Sequence, residues 1–360
     1  MKKILILTNH SYMLYRYRRE LIQELMKDAE VVLSMPFVGH EDDFRAMGLR
    51  CIETEINRRG MNPAQDSKLF FFYQKLLRRE KPDLVITYSI KPNIYGGMAC
   101  TLAGVDYCVN VQGLGTAFQR HGVSEMVTAL YRMALHRAKV VFFENEGNAR
   151  EFVDRRIIRQ EKVCLLPGAG INLREYPVQP YPDHDRFHFL YLGRIMEEKG
   201  VSEMFAAMRR LRESVGDGAV LDLVGFYEDD YHQQIDALKQ EGIAIGHGFQ
   251  SEPRPFYAAA DCVILASYHE GMSNVLLEAA AMGRPVICSD IPGCREAVDA
   301  DRTGLLCQVR DTDSLYTQML RMVRLSREDR EQMGLAARAK MEREFDRDEV
   351  VRRTVEALFR

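Results

Sequence analysis

Short apolar runs rich in β-branched and aromatic residues alternate with longer amphipathic segments along most of the chain. The apolar runs lie at 3–8, 31–34, 83–88, 106–111, 140–143 and 163–167, and then at 187–193, 219–225, 243–247, 260–266 and 284–289. Helical periodicity is seen between them, at 14–27, 69–79, 123–137, 200–214 and 229–240. Alternation of this kind predicts βαβ units and parallel sheets.

The length and one proline-rich segment predict two domains. The chain has 360 residues, more than one typical domain, and the segment 173–186 contains three prolines, several charges and no periodicity. We expect an α/β protein with two Rossmann-like domains, 1–172 and 187–344, facing each other across a cleft. The helical pattern at 345–360 is expected to return to the first domain, and ligands are expected at the carboxyl ends of the strands.

The sequence lacks the motifs that mark several other functional classes. The turn after the first strand, 8–12, has no glycine, and no GxxxxGK[ST] sequence occurs, which argues against dinucleotide and P-loop chemistry. The eight cysteines are scattered without a CxxC pair, so neither a zinc site nor a disulfide framework is indicated. No apolar stretch approaches the ~18 residues of a membrane span. The short apolar run near the N-terminus is interpreted as a strand rather than a signal peptide.

Charge is distributed unevenly between the two halves. Residues 1–176 carry 26 Lys and Arg against 20 Asp and Glu, whereas residues 177–360 carry 23 against 32. A basic first half suits an anionic membrane surface or a phosphate-bearing acceptor. Nucleic acid is disfavoured because the overall pI is about 6.3 and no nucleic-acid-binding motif occurs.

Two glutamates, Glu270 and Glu278, lie eight residues apart. Eight helical steps would bring them to one face, about two turns or ~12 Å apart. Ser273 is a plausible N-cap for a helix at 274–282, whose free amides would favour an anion beside Glu270. A pair of carboxylates also suggests a glycosidase, but the retaining form needs carboxyl groups ~5 Å apart, so we reject that interpretation.

Three further loops follow predicted strands. Gly193 would let the backbone approach a ligand, and Arg194 and Lys199 would place two cations where a diphosphate could bind. The pair Gly248 and Phe249 could read the edge of a base through backbone groups. The third loop is the turn at 290–296.

In order and spacing, these segments resemble a known family. The patterns GRxxxxKG, EGxxxxxLEAxAxGxPVIxSDxPGxxE and TGLL, over roughly residues 187–310, are similar to the donor domain of retaining glycosyltransferases of family four, which have the GT-B fold. The resemblance implies that Arg194 and Lys199 bind the donor diphosphate and stabilise the departing nucleotide, and that Glu270 contacts the transferred sugar. These three are the expected catalytic residues, and Glu278 is expected to hold the ribose. The resemblance further implies donor contacts from a group of neighbouring residues: Gly193, Gly248, Phe249, Gly271, Met272, Ser273, Asn274 and Val275.

The first half resembles the family less closely. Many members have a glycine-rich turn after the first strand, which HSYMLYRYRREL replaces here, and many have a histidine where this chain has Gln112 and Gly113. Tyr15 and Arg18 are predicted to open a helix. Tyr15, Gln112 and Gly113 are expected to contact the acceptor. Arg18, Lys91 and Arg120 follow strands, and we expect them either to meet an acceptor diphosphate or to be scattered surface cations. The basic, aromatic segment 68–79 is interpreted as an interfacial helix or as an ordinary helix packed on its sheet.

Four segments are similar to a subgroup of bacterial enzymes that build lipid-linked oligosaccharides: YRYRREL, SIKPNIYGG, VQGLGTAF and ENEGNAREF. This subgroup includes an N-acetylgalactosaminyltransferase acting on undecaprenyl-diphosphate-bacillosamine. The resemblance implies transfer of a hexose or N-acetylhexosamine from a UDP-sugar to a polyprenyl-diphosphate-linked saccharide, in capsule, O-antigen or glycan assembly. It implies no metal and no other cofactor, and a cytoplasmic location, peripheral on the inner membrane. A UDP-sugar epimerase and a catalytically silent nucleotide-sugar-binding paralogue remain as alternatives.

Overall fold

Residues 2–57, 62–114, 118 and 123–360 are described by the computed structural model, and they form two compact units. The first unit comprises Met1–Ala169 and Asp348–Arg360, and the second comprises Gly170–Arg347. Both are parallel sheets with helices on both faces, which confirms the predicted α/β fold class.

The first unit has a seven-stranded sheet in the order β3-β2-β1-β4-β5-β6-β7. Its strands are β1 (Lys2–Leu7), β2 (Ala29–Met35), β3 (Arg50–Glu53), β4 (Leu84–Tyr88), β5 (Asp106–Val111), β6 (Val141–Phe143) and β7 (Val163–Leu165). Its helices are α1 (Ser11–Met26), α2 (Glu41–Ala46), α3 (Pro63–Glu80), α4 (Gly97–Ala103), α5 (Val123–Leu135) and α6 (Glu146–Asp154), with a π-helical turn at Pro92–Gly96. Side chains of α3, α4 and α5 share one core, and those of α1 and α2 share the core on the opposite face.

The second unit has a six-stranded sheet in the order β10-β9-β8-β11-β12-β13. Its strands are β8 (Phe187–Leu192), β9 (Ala219–Val224), β10 (Ala244–Gly248), β11 (Cys262–Leu265), β12 (Val286–Ser289) and β13 (Gly304–Cys307). Its helices are α7 (Val201–Val215), α8 (His232–Gln240), α9 (Arg254–Ala259), α10 (Asn274–Ala281), α11 (Thr312–Arg324) and α12 (Arg327–Glu344). The last helix, α13 (Arg347–Phe359), belongs to the first unit from Asp348 onward.

Local sequence explains where several elements begin and end. The continuous apolar run of β1 is buried from Ile4 to Leu7, as expected for a central parallel strand covered on both faces. Helix α3 begins where the Asn62 side chain accepts hydrogen bonds from the amides of Ala64 and Gln65, and it ends at Lys81 in the left-handed conformation. The predicted strands do not include β3 and β13. Strand β3 is half exposed and lacks a continuous apolar run.

The segment 173–186, predicted to be a linker, lies within the second unit. The segment is held to this unit by Arg284, whose side chain is fully buried. Its guanidinium donates hydrogen bonds to the carbonyl oxygens of Gln179 at 3.2 Å and Pro180 at 2.6 Å. The same guanidinium also donates to carbonyls of Tyr257 and Ala258, both at 2.9 Å. Composition alone suggested a linker, but a buried cation surrounded by backbone acceptors fixes this segment on its own unit.

Among the helices of the described residues, none is both long enough and apolar enough to cross a bilayer.

Candidate active site

The strand order of the second sheet reverses between β8 and β11, and the loops that leave these two strands are neighbours. In open parallel sheets, ligands bind at the carboxyl ends of strands where the order reverses. The segment 193–200 leaves β8 and the segment 266–273 leaves β11. Both predicted donor motifs are therefore brought to one edge of one sheet.

Lys199 and Glu270 form an ion pair at this edge. The ammonium of Lys199 lies 2.6 Å from Oε1 of Glu270, and the two side chains are only 17% and 14% exposed. A close approach of the two loops makes this possible: a side chain at Gly200 would place its Cβ 2.1 Å from the carbonyl oxygen of Ala266. The amide of Tyr268 also donates to the carbonyl of Glu198 at 2.9 Å.

Helix α10 begins at Asn274, shortly after Glu270 in the preceding loop. The hydroxyl of Ser273 caps it by accepting from the amide of Leu276, and the amide of Ser273 donates to the carbonyl of Gly293 at 2.9 Å. A Cβ at Gly293 would lie 2.5 Å from the carbonyl oxygen of Gly271, so the 290–296 turn rests against the Glu270 loop. The free amides and partial positive charge of the helix N-terminus thus follow directly on the loop that carries Glu270, the partner of Lys199.

The two glutamates do not share a helical face, contrary to the spacing argument. Glu270 lies in the loop before the Ser273 cap, whereas Glu278 lies inside α10. The Glu278 side chain is buried, and the hydroxyl of Tyr257 donates to its Oε2 at 2.9 Å. The error arose because helical periodicity was extended through Gly271 to Ser273, which form the entry loop. Binding of ribose by Glu278 stays a prediction.

Three glycines join the ends of β8, β9 and β10. The amide of Gly193 donates to the carbonyl of Val224, and the amide of Gly225 donates to the carbonyl of Gly248, each at 2.9 Å. A Cβ on Gly225 would lie 1.7 Å from the carbonyl oxygen of Gly193, so only glycine fits there. The position of the GRxxxxKG loop therefore depends on a residue outside that motif.

Arg194 is more loosely held than Lys199. Its side chain is 45% exposed, and its guanidinium lies 3.5 Å from a carboxylate oxygen of Glu228. The hydroxyl of Tyr191 donates to the backbone carbonyl of Arg194, and burial, followed by the charge of Glu270, raises the pKa of Tyr191. A neutral phenol thus fixes the backbone of Arg194 while its side chain can still turn toward a ligand.

Exposed aromatic rings follow β9 and β10. Phe249 is 58% exposed and Phe226 is 46% exposed, and their ring centroids lie 6.2 Å apart in an edge-to-face arrangement. Beside the ion pair, burial and then the charge of Arg310 lower the pKa of His269, which favours a neutral imidazole next to Glu270. The edge of the second sheet therefore offers cations, a carboxylate, helix amides and aromatic surface.

The first unit has a cavity of about 210 Å³ at the carboxyl ends of β1, β4 and β5. Its lining is mostly neutral and polar and consists of Thr8, Asn9, His10, Met13, Leu14, Arg18, Tyr88, Ser89 and Gln112. The order of the first sheet reverses between β1 and β4, so this cavity too lies where a doubly wound sheet binds ligands. Of the predicted acceptor residues, Arg18 and Gln112 line it.

Two of the three cations predicted to meet an acceptor diphosphate, Arg18 and Lys91, are paired with carboxylates. Arg18 lies in the middle of α1, not in a loop or a helix start, and its guanidinium is 2.9 Å from a carboxylate oxygen of Glu144. Lys91 lies 2.7 Å from Asp66, and both side chains are nearly buried. Buried cations require such partners, which the sequence did not reveal because each pair is distant along the chain.

The remaining predicted acceptor residues have varied positions. The ring of Tyr15 stacks on that of His40 with centroids 4.3 Å apart, and Tyr15 is not among the residues lining the cavity. Gly113 is half-buried after β5. Arg120 lies outside the described residues.

Solved structures share this architecture over nearly the whole chain. The Anabaena protein HepE, in complex with UDP and glucose, has a TM-score of 0.83 at 17% identity and covers 99% of both chains. Sucrose-phosphate synthase from Thermosynechococcus elongatus has a TM-score of 0.79 at 18% identity, covering 99% of this chain and 98% of that chain. The fold is therefore that of the GT-B class, with two Rossmann-like units.

Family models match both units. One, described as glycosyl transferases group 1, matches residues 186–324, and another, described as glycosyl transferase 4-like, matches residues 3–145. The two matches together span most of the chain. The chain belongs to this family of glycosyltransferases, which confirms the resemblance in the donor motifs.

Curated relatives match over most of their length. An N,N'-diacetylbacillosaminyl-diphospho-undecaprenol alpha-1,3-N-acetylgalactosaminyltransferase of Campylobacter jejuni is 26% identical over 321 residues, 84% of each chain. A UDP-Gal:alpha-D-GlcNAc-diphosphoundecaprenol alpha-1,3-galactosyltransferase of Escherichia coli is 27% identical over 290 residues, 73% of this chain and 72% of the relative.

Several residues of the site were missed by sequence reasoning. Gly225 follows an apolar strand, a position where a glycine signals close backbone approach, so this signal was present but unused. Tyr257 hydrogen-bonds to Glu278 and Glu144 to Arg18, and each partner is distant along the chain. No local pattern marks them.

Proposed function

We propose that this glycosyltransferase moves a hexose or N-acetylhexosamine from a UDP-sugar to a saccharide carried on polyprenyl diphosphate, with retention of anomeric configuration. The product would enter capsule, O-antigen or glycoprotein glycan assembly at the inner face of a bacterial membrane. Support for this acceptor class comes from the names of the Campylobacter and Escherichia relatives, which both specify diphospho-undecaprenol substrates. Support for UDP comes from the complex of HepE with UDP and glucose.

The observation that carries the donor assignment is the Lys199–Glu270 pair at the start of α10. A lysine held 2.6 Å from one carboxylate still has two further N–H bonds to direct at phosphate oxygens. The amides of the α10 N-terminus add donors to the same region. Glu270 can accept hydrogen bonds from sugar hydroxyls while Lys199 neutralises part of its charge.

These groups suit departure of a diphosphate. The acceptor oxygen forms a bond to the anomeric carbon as the bond from that carbon to the diphosphate oxygen breaks. The electron pair remains on the diphosphate, whose oxygen takes the proton of the acceptor hydroxyl. Attack and departure on one face retain the configuration, and UDP is released.

Charge stabilisation of the leaving diphosphate is assigned to the protein. Lys199, Arg194 and the helix amides would meet the negative charge that develops as the bond to the sugar breaks, so we propose that no metal is needed. Glu270 acts as a hydrogen-bond acceptor and orients the sugar, with no covalent intermediate.

The cavity of the first unit is proposed to hold the acceptor saccharide. Asn9, Ser89 and Gln112 offer neutral donors and acceptors of the kind that sugar hydroxyls require, and His10 also lines the cavity. Because Glu144 already balances Arg18, the cavity suits an uncharged sugar better than a diphosphate. Gln112, at the position where the family resemblance implies a histidine, would serve as a neutral hydrogen-bonding group.

The test is incubation of the protein with UDP-hexoses and UDP-N-acetylhexosamines, with and without a polyprenyl-diphosphate-linked saccharide. Transfer to the lipid-linked sugar, with release of UDP, is expected for at least one donor. Interconversion of the UDP-sugar without acceptor, detected by NMR, would instead identify an epimerase. UDP binding in calorimetry without transfer or interconversion of any donor would favour a silent nucleotide-sugar-binding paralogue.

A further inference from the structure

Helices α3, α4 and α5 form one layer on the first sheet, and their outer surface carries large exposed apolar side chains. Inward-facing residues of these helices share a core that includes Tyr73, Cys100 and Tyr131. On the outer surface, Leu102 is 69% exposed and Phe71 is 63% exposed. Met133 and Met126 are 62% and 44% exposed. Each of the three helices therefore has at least one large apolar side chain that lies outside the hydrophobic core.

The exposed phenylalanine of α3 lies among cations. Lys68, Phe71, Lys75 and Arg78 follow one another at intervals of three, four and three residues, so they occupy one side of the helix. Within the described part of the chain, no hydrogen bond or ion pair engages Lys68, Lys75 or Arg78. These charges are available to an external anion.

Exposed charge on the three helices is almost entirely positive. Their exposed cations are Lys68, Lys75, Arg78, Arg79 and Arg132, and their one exposed carboxylate is Glu125. This segregation occurs in a chain whose formal net charge is −3. An apolar and basic outer face matches a surface that is negatively charged at its boundary and apolar beneath.

We propose that the outer face of α3, α4 and α5 binds the surface of a bilayer containing anionic lipids. Phe71, Leu102 and Met133 enter the boundary between headgroups and acyl chains. Lys68, Lys75 and Arg78 contact lipid phosphates. The inference deepens the proposed function, because it brings the first unit to the surface where a lipid-linked acceptor resides, but the test below measures binding without catalysis.

The experiment is flotation of the full chain with vesicles of phosphatidylcholine alone or with 30% phosphatidylglycerol, the latter chosen to give about the charge of an anionic leaflet. We expect binding to the anionic vesicles and its loss at high salt. Neutralising one cation should lower the partition coefficient about fivefold, so the triple variant Lys68→Gln, Lys75→Gln, Arg78→Gln should lose about a hundredfold. Phe71→Ser should lose about tenfold.

Matched controls remove the same charge or apolar surface elsewhere. The triple variant Arg159→Gln, Arg302→Gln, Arg324→Gln and the single variant Leu335→Ser change exposed residues outside this face and should bind like wild type. Failure of wild type to bind anionic vesicles, or equal binding by the α3 variants and their controls, would overturn the proposal. So would a dimer that Phe71→Ser dissociates while vesicle binding stays unchanged.

A second measurement separates this proposal from the proposed function. Transfer to a water-soluble, short-chain diphosphate-linked acceptor should be the same for wild type and the Lys68, Lys75, Arg78 triple variant. Equal transfer with lost vesicle binding supports the membrane face. Absence of transfer by wild type with intact vesicle binding would refute the proposed function alone.

Discussion

Replacement of Gly225 by alanine tests whether the donor loop is positioned by backbone contact. The new Cβ would lie 1.7 Å from the carbonyl oxygen of Gly193, whereas real Cβ contacts are not shorter than 3.0 Å. The Gly193 carbonyl must therefore retreat by about 1.3 Å, and Arg194 and the loop to Lys199 move with it. A displacement of ~1 Å at a reacting site can cost about a hundredfold, so kcat/KM for the donor should fall by roughly 10², or about 2.7 kcal/mol.

Gly242→Ala is the matched control. Gly242 also has a positive φ, +71°, but nothing lies within 4 Å of a Cβ built there. Both variants should lose about 1 kcal/mol in the free energy of unfolding from backbone strain, but Gly242→Ala should leave the donor kinetics unchanged. Steady-state kinetics with varied UDP-sugar measure the donor kcat/KM, calorimetry measures the affinity for UDP, and urea denaturation measures the free energy of unfolding. A folded Gly225→Ala enzyme with donor kcat/KM within threefold of wild type, or a Gly242→Ala enzyme equally impaired, would refute the reasoning.

Three other perturbations have defined outcomes. Lys199→Met should lower kcat by about 10²–10³ in a transfer assay, as for loss of one charge-stabilising donor; an unchanged kcat would exclude Lys199 from diphosphate departure. Arg284→Met leaves several buried carbonyls without donors and should lower the free energy of unfolding in urea by about 3 kcal/mol; a change below ~1 kcal/mol would contradict its role as an anchor. Burial raises the pKa of Glu80, but hydrogen bonds and charges of Arg50 and Arg79 outweigh it and leave that pKa below its usual range. The resulting stability is present above the unfolded-state pKa of about 4.3 and is lost as pH falls through the folded-state value. The difference in unfolding free energy between wild type and Glu80→Gln should therefore shrink from pH 6 to pH 3, and a constant difference would refute the linkage.

Local patterns were sufficient for the donor motifs and for eleven of the thirteen strands that the described residues form. Buried parallel strands are continuous apolar runs. The loops that follow β8 and β11 carry the donor motifs, Gly193 to Gly200 and Glu270 to Ser273. The sequence also predicted the Ser273 cap, because serine before an apolar helical stretch has a local physical meaning. The expectation that Glu270 and Glu278 share one helical face was wrong, because Glu270 lies in the loop before that cap.

Long-range pairing could not be read from spacing. Lys199 and Glu270 are 71 residues apart and meet only because β8 and β11 are neighbours in the sheet. Arg18 and Glu144 are 126 residues apart, so a cation that seemed available for the acceptor is in fact balanced within its own unit. Arg284 resembled a surface cation before a strand, and its burial depends on the path of the segment 173–186.

The most direct test of the central claim is transfer from a UDP-sugar to a polyprenyl-diphosphate-linked saccharide by wild type and Glu270→Gln, with NMR of the new anomeric centre. Wild type should give a lipid-linked product whose anomeric configuration is that of the donor. The amide in Glu270→Gln removes the negative charge that pairs with Lys199, so this variant should be slower by about two orders of magnitude while remaining folded. An inverted product, or wild-type turnover by Glu270→Gln, would contradict the account.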